Sequence, residues 1–138
     1  MSELYHFGVK GMKWGVRRYQ NADGTLTAKG EARAAKQTKK AQKKWSNKAL
    51  RQYNANQRNA KSLKRDLDSN FDSSTGLKLD SETRSAYQHE YNRAVETGRQ
   101  WLQTRQDILN MPVNSTTVSD IKNRYNKTRR GNVYYPFA

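Results

Sequence analysis

Four cations, Lys10, Lys13, Arg17 and Arg18, crowd around Trp14, with Tyr5, Phe7 and Tyr19 nearby. Cations interleaved with rings suit phosphate contact combined with base stacking. Gly8, Gly11 and Gly15 among them let backbone amides approach a ligand closely. A guanidinium also forks onto a carboxylate, so an acidic protein surface is an equal chemical match. A second set, Lys36, Lys39, Lys40, Lys43, Lys44 and Lys48, follows in a stretch of helix-forming composition. On a helix this spacing spreads positive charge over most sides, which suits a polyphosphate backbone held without sequence reading. Lysines that merely solvate a helix would show the same pattern. A third set, Arg124, Lys127, Arg129 and Arg130, precedes Tyr134 and Tyr135 and carries the same two readings.

Catalytic and metal chemistry find little to work with. The only histidines are His6 and His89, and there is no cysteine. His89-Glu90 lacks the second histidine of a zinc-binding helix motif, so His89 reads as a surface helix residue. No metal or cofactor is expected. Serines and threonines are plentiful, but no glycine-flanked serine elbow appears. Gly8-Val-Lys-Gly11-Met-Lys-Trp-Gly15 matches neither the phosphate loop ending in Gly-Lys-Ser/Thr nor the dinucleotide fingerprint. Asp and Glu number 12, with no sign of a pocket to bring two of them together as a glycosidase pair. The chain is expected not to be an enzyme.

The elements that must position these residues are mostly helical. Gly8, Gly11, Gly15, Gly24 and Gly30 make residues 1–30 an irregular module of loops and turns, with room for a short hairpin. Asn21-Ala-Asp-Gly24 reads as a tight turn with Gly24 at positive φ. Residues 28–70 read as one long helix of Ala, Lys, Gln and Arg without proline, capped by Thr27 and weakened in its first turn by Gly30. From Glu31 to Lys44 its only apolar residues are alanines, so this part has no face to bury and is expected to be helical only against a partner. Further on, Ala49, Tyr53, Asn56, Ala60, Leu63 and Leu67 form one stripe, extended by Trp45 and Phe71.

Asn70 to Leu79 reads as a loop, and Asp80 or Ser81 caps a second helix. Tyr87, Tyr91, Ala94, Gly98, Trp101, Arg105 and Ile108 form its stripe, widened by Val95, Leu102 and Leu109, and Pro112 ends it. A short third helix is expected from about Thr116 to Thr128, with Val118, Ile121 and Tyr125 as its apolar face. The aromatic end, residues 132–138, either packs back on the helices or serves as a docking peptide. The expected fold is mainly α. An antiparallel hairpin pairs residues 45–71 with 81–110 and carries a basic helical arm, a short third helix and the Gly-rich N-terminal module. The corresponding divisions are 1–30, 31–110 and 111–138. No repeat of solenoid length is visible.

Composition sets the bounds. Hydrophobic residues are 33% of 138, too few for a sandwich or barrel but enough for a thin seam between two or three helices. The net charge is +15, and it is uneven: +12 over residues 1–70, −1 over 71–110 and +4 over 111–138. Self-repulsion at this charge favours sitting on a polyanion or an acidic protein. Nucleic acid gains most, because each neutralised phosphate releases counterions. No apolar run approaches the ~18 residues of a transmembrane helix, and no signal-peptide stretch opens the chain. A soluble protein with no membrane partner is expected. A thin amphipathic seam also suits pairing between copies of the chain.

The N-terminal stretch His6-Phe-Gly-Val-Lys-Gly-Met-Lys-Trp-Gly-Val-Arg-Arg-Tyr-Gln-Asn-Ala-Asp-Gly-Thr-Leu-Thr-Ala-Lys-Gly30 resembles a short module of tailed-phage and prophage proteins of Gram-positive bacteria. That module has a His-x-Gly-(Val/Ile)-Lys-Gly-x-Lys-Trp-Gly-Val-Arg-Arg core followed by Gln-Asn-x-Asp-Gly-(Ser/Thr)-Leu-Thr. It recurs beside or within head-morphogenesis and minor structural proteins. The match covers residues 6 to about 33; Ala28 stands where relatives often carry proline. The resemblance implies phage origin and a virion or assembly role, with the module as a docking tag on varied bodies. Residues 34–138 resemble no family.

Three functions fit these readings. The first is a non-enzymatic, virion- or assembly-associated binding protein that docks on nucleic acid or on an acidic partner such as a head component. The second is a phage inhibitor of host defence, of the anti-CRISPR type, that seizes a host ribonucleoprotein or its guide RNA. The third is a general nucleic-acid binder in packaging or transcription control. They place the protein in the virion or in the bacterial host's cytoplasm.

Overall fold

A computed structural model describes residues 19–132. It is mainly helical, with α1 at Ala28–Ser69, α2 at Ser81–Leu109 and α3 at Val118–Gly131. Each helix begins where a side chain takes up a free backbone N–H. Thr27 accepts from Gly30 N at 3.1 Å, Asp80 from Thr83 N at 2.7 Å, and Thr117 with Asp120 closes a reciprocal capping box. Over its 42 residues α1 runs about 63 Å. It stops at Asn70, whose φ of 63° is the left-handed conformation that asparagine tolerates at a helix end.

The α1–α2 connection is a tight loop tied by Asp72. Its carboxylate accepts from Ser74 N at 2.8 Å, from the Ser74 hydroxyl and from the Tyr87 hydroxyl at 2.8 Å. From α2, Arg84 donates to Leu67 O and Asn70 Oδ1 and so covers the end of α1. The two helices then run antiparallel. Ala49, Ala60, Leu63 and Leu67 of α1 and Ala94, Gly98, Trp101 and Ile108 of α2 are buried; Tyr53, Asn56, Tyr87, Tyr91 and Arg105 of the expected stripes are half-buried, and Phe71 is exposed. A Cβ at Gly98 would stand in ordinary contact, 3.6 Å from Asn56 Cβ.

Helix α3 covers one flank of this hairpin and lies parallel to α1. Tyr125 is held between Trp45 and Trp101, with ring centroids 5.0 and 4.9 Å away. Ala41, Ala49, Ile108 and Ile121 complete the cluster. The helix starts two residues later and ends three residues later than the expected Thr116 to Thr128.

Three sequence expectations are corrected here. The stretch Glu31 to Lys44 does have a face to bury, and beside Ala41 it is polar. Thr38 Oγ1 donates to Thr116 O at 2.9 Å, and Gln42 Nε2 donates to Ile108 O at 3.0 Å and Met111 O at 2.8 Å. These anchors give side-chain donors to carbonyls at the end of α2 and in the α2–α3 connection, where Ile108 O also accepts from Met111 N. Leu102 and Leu109 do not widen the buried face of α2. They are 39% and 45% exposed, because α3 packs on the opposite flank, where Thr104 meets Thr128. Val118 is likewise exposed, leaving Ile121 and Tyr125 as the buried residues of α3 in that set.

Candidate polyanion-binding face

The leader joins α1 through a small turn in which most side chains have a task. Gln20 bridges Leu26 in antiparallel fashion, and Gly24 takes φ of 90°. Asp23 accepts from Thr25 N and from the Thr25 hydroxyl. Those bonds, the hydroxyl's first, hold its carboxyl below the usual aspartate range. Thr27 N donates to Tyr19 O at 3.0 Å, and Tyr19 O in turn lies against Gly30. A Cβ on residue 30 would sit 2.0 Å from that oxygen, so the glycine that weakens the helix is what admits the leader. The Arg33 guanidinium lies 4.6 Å from the centre of the Tyr19 ring. Tyr19 therefore fixes the leader on α1. Lys10, Lys13, Trp14, Arg17 and Arg18 lie outside the described residues.

The lysines of α1 are all placed. Lys36, Lys39, Lys40, Lys43 and Lys44 are exposed, and Lys48 is half-buried with its ammonium 4.3 Å from the Trp45 ring centre. They do not surround the helix, contrary to the sequence expectation. Thr38, Ala41, Gln42 and Trp45 turn toward α2 and α3, and the lysines occupy the outer side. The sequence reading also missed how far this side extends. With 3.6 residues per turn, Lys29, Arg33, Lys36, Lys40, Lys43, Lys44, Arg51, Arg58, Lys61 and Arg65 fall within an arc of about 100°. Lys39 and Lys64 flank it on one edge and Lys48 on the other. No Asp or Glu occurs between Ala32 and Arg65. An acid-free run of 34 residues, with Lys44, Arg51, Arg58 and Arg65 at intervals of seven, is the signal that would have revealed the stripe.

The third basic set divides. Arg124 is committed to the fold: its Nη2 and Nε donate to Asp107 Oδ2 at 2.7 and 3.2 Å, and its Nη1 donates to Thr128 at 2.6 Å. These bonds hold the Asp107 carboxyl below its ordinary value. Lys127, Arg129 and Arg130 are exposed on α3, and His89 is exposed on α2. Among the described residues no three His, Cys, Asp or Glu side chains come together, and no helix is long and apolar enough to cross a membrane.

Comparison with known proteins reaches only the leader. A family of unknown function (DUF7211) matches residues 1–21, ending at the first residues of the turn that docks on α1. No curated protein and no solved structure matches the chain.

Proposed function

We propose that this is a non-enzymatic, basic binding protein of phage or prophage origin, associated with the virion or its assembly, that lays the outer face of α1 along a nucleic-acid backbone. The observation that carries the reading is the acid-free arc of cations opposite the packed side of α1. Twelve Lys and Arg occur from Arg33 to Arg65. At a rise of 1.5 Å per residue that is about one positive charge every 4 Å over about 48 Å. One strand of nucleic acid presents a phosphate about every 3.4 Å. Asn47 and Asn54 share the arc, but its cations outnumber them and no aromatic side chain of α1 falls in it, so the reading is of binding through phosphate, independent of sequence. The N-terminal resemblance supports the phage assignment. On this reading Lys10, Lys13, Trp14, Arg17 and Arg18 supply docking specificity, and the lysines of α1 supply bulk affinity.

Anisotropy titrations with labelled single strands and duplexes of unrelated sequence test the binding. Equal affinities across sequences and a steep fall with salt are expected. A flat salt response, or no binding at low ionic strength, overturns the reading. Mass spectrometry of purified virions and proheads tests the assembly role, which fails if the protein is missing from both.

A further inference from the structure

The α1–α2 seam has two flanks, and α3 covers one of them. Tyr125 sits there between Trp45 and Trp101, and Thr128 meets Thr104. Among the described residues no helix lies on the other flank. Leu50 falls about 180° around α1 from Ala41, which packs toward α3. On α2, Val95, Leu102 and Leu109 recur every seven residues and fall about 140–180° from Thr104. Gly98 faces Asn56, and Gln42 bonds Ile108 O, so Leu50 and Tyr53 stand level with Leu102. Leu102 and Leu109 are exposed, and Leu50, Tyr53 and Val95 are half-buried. These five side chains make an apolar strip along the bare flank, about 21 Å long from Val95 to Leu109.

We propose that this strip docks an acidic amphipathic helix of a partner protein. The other flank supplies the precedent for the shape. There the same seam accepts α3, a helix of 14 residues, which is about the length of the strip. Charge selects the partner. On the α1 side Lys39 and Lys43 border the strip toward one end, and Lys61 and Lys64 toward the other, all four exposed. No Asp or Glu occurs on α1 between Ala32 and Arg65. On the α2 side Glu90, Glu96 and Asp107 each lie about 120° or more around the helix from Leu102, away from the strip. Arg105, about 60° from Leu102 toward the seam, is half-buried, and its Nε has no hydrogen-bond partner among the described residues. A carboxylate is the acceptor that suits a guanidinium best. A second copy of the chain would set lysine border against lysine border and one body of +15 against another. A helix with an apolar face and Asp or Glu along its margin matches both the strip and its border. The strip itself lies outside the phosphate-binding arc, so either reading can fail without the other.

The probe is a peptide of about 18 residues with leucines along one helical face and glutamate elsewhere, titrated into the isotope-labelled full chain. Binding is expected to shift the amide resonances of Leu50, Val95, Leu102 and Leu109. A peptide of the same composition in scrambled order, with no apolar face, is expected to bind about tenfold more weakly. Leu102→Gln with Leu109→Gln keeps helix propensity at two exposed positions. The pair is expected to cost the ordered peptide about tenfold in affinity and to leave the affinity for nucleic-acid strands unchanged. Equal affinities for the two peptides, or no loss in the double variant, overturn the proposal. So does a dimer in sedimentation, or binding to vesicles of phosphatidylserine, that the same two substitutions abolish, because the strip would then serve a second copy or a membrane.

Discussion

The cation arc on α1 makes a demand that net charge alone does not. Replacing Lys40, Lys44, Arg51 and Arg58 by glutamine removes four charges from the outer side of α1. All four side chains are exposed, and Lys44 alone of them lies over a core-packed ring, its ammonium 5.5 Å from the Trp45 ring centre. Glutamine matches lysine and arginine in helix propensity, so the helix content is expected to hold. Each lost phosphate contact lowers the log–log salt slope by about 0.7 for a single strand and about 0.9 for a duplex. Four contacts thus lower it by about 2.8 or 3.6. Between 50 and 200 mM salt, a fourfold change, the variant is expected to lose about 50-fold less affinity on single strands than the parent, and about 150-fold less on duplex. The control removes Lys122, Lys127, Arg129 and Arg130 from α3, which are also exposed, and makes the same change in net charge. The control slope is expected to stay close to the parent's. Anisotropy titrations at four salt concentrations give all three slopes. Equal slopes for the two variants would falsify the claim that one face does the binding, and would leave only diffuse attraction.

Three further outcomes follow from the fold. Gly30→Ala puts a Cβ 2.0 Å from the Tyr19 backbone oxygen, which must shift, so the Thr27 amide that donates to it is expected to lose its protection from hydrogen exchange; an amide still protected refutes the close contact. Gln42→Ala removes the side-chain donor shared by Ile108 O and Met111 O and should cost about 1–3 kcal/mol in urea unfolding, a loss that an ordinary exposed residue would not show. The hydroxyls of Ser74 and Tyr87 and the amide of Ser74 hold Asp72 down to about 2, below its ordinary 3.8. A depressed carboxyl stabilises the fold above its unfolded value, and that stability is lost as pH falls from about 4 toward about 2. Asp72→Asn should flatten the acid limb of the stability profile in that window, and an unchanged limb contradicts the assignment.

The sequence by itself determined the helices, the stripes and the turn. Thr27, Asp80 and Pro112 mark ends because capping and the missing proline N–H act within one helical turn. Gly24 reads as positive φ for the same local reason. The stripe from Ala49 to Leu67 needed only its own spacing to be seen. Tertiary structure alone decided which flank of the hairpin α3 covers, and so why Thr104 is buried while Leu102 and Leu109 are exposed. It also decided that Thr38 and Gln42 are anchors, since their partners lie 66 to 78 residues away in the chain. The direction of the lysines followed from those anchors. A helix whose apolar residues are all alanine has no side of its own until distant carbonyls choose one, and the side left over became the cationic face.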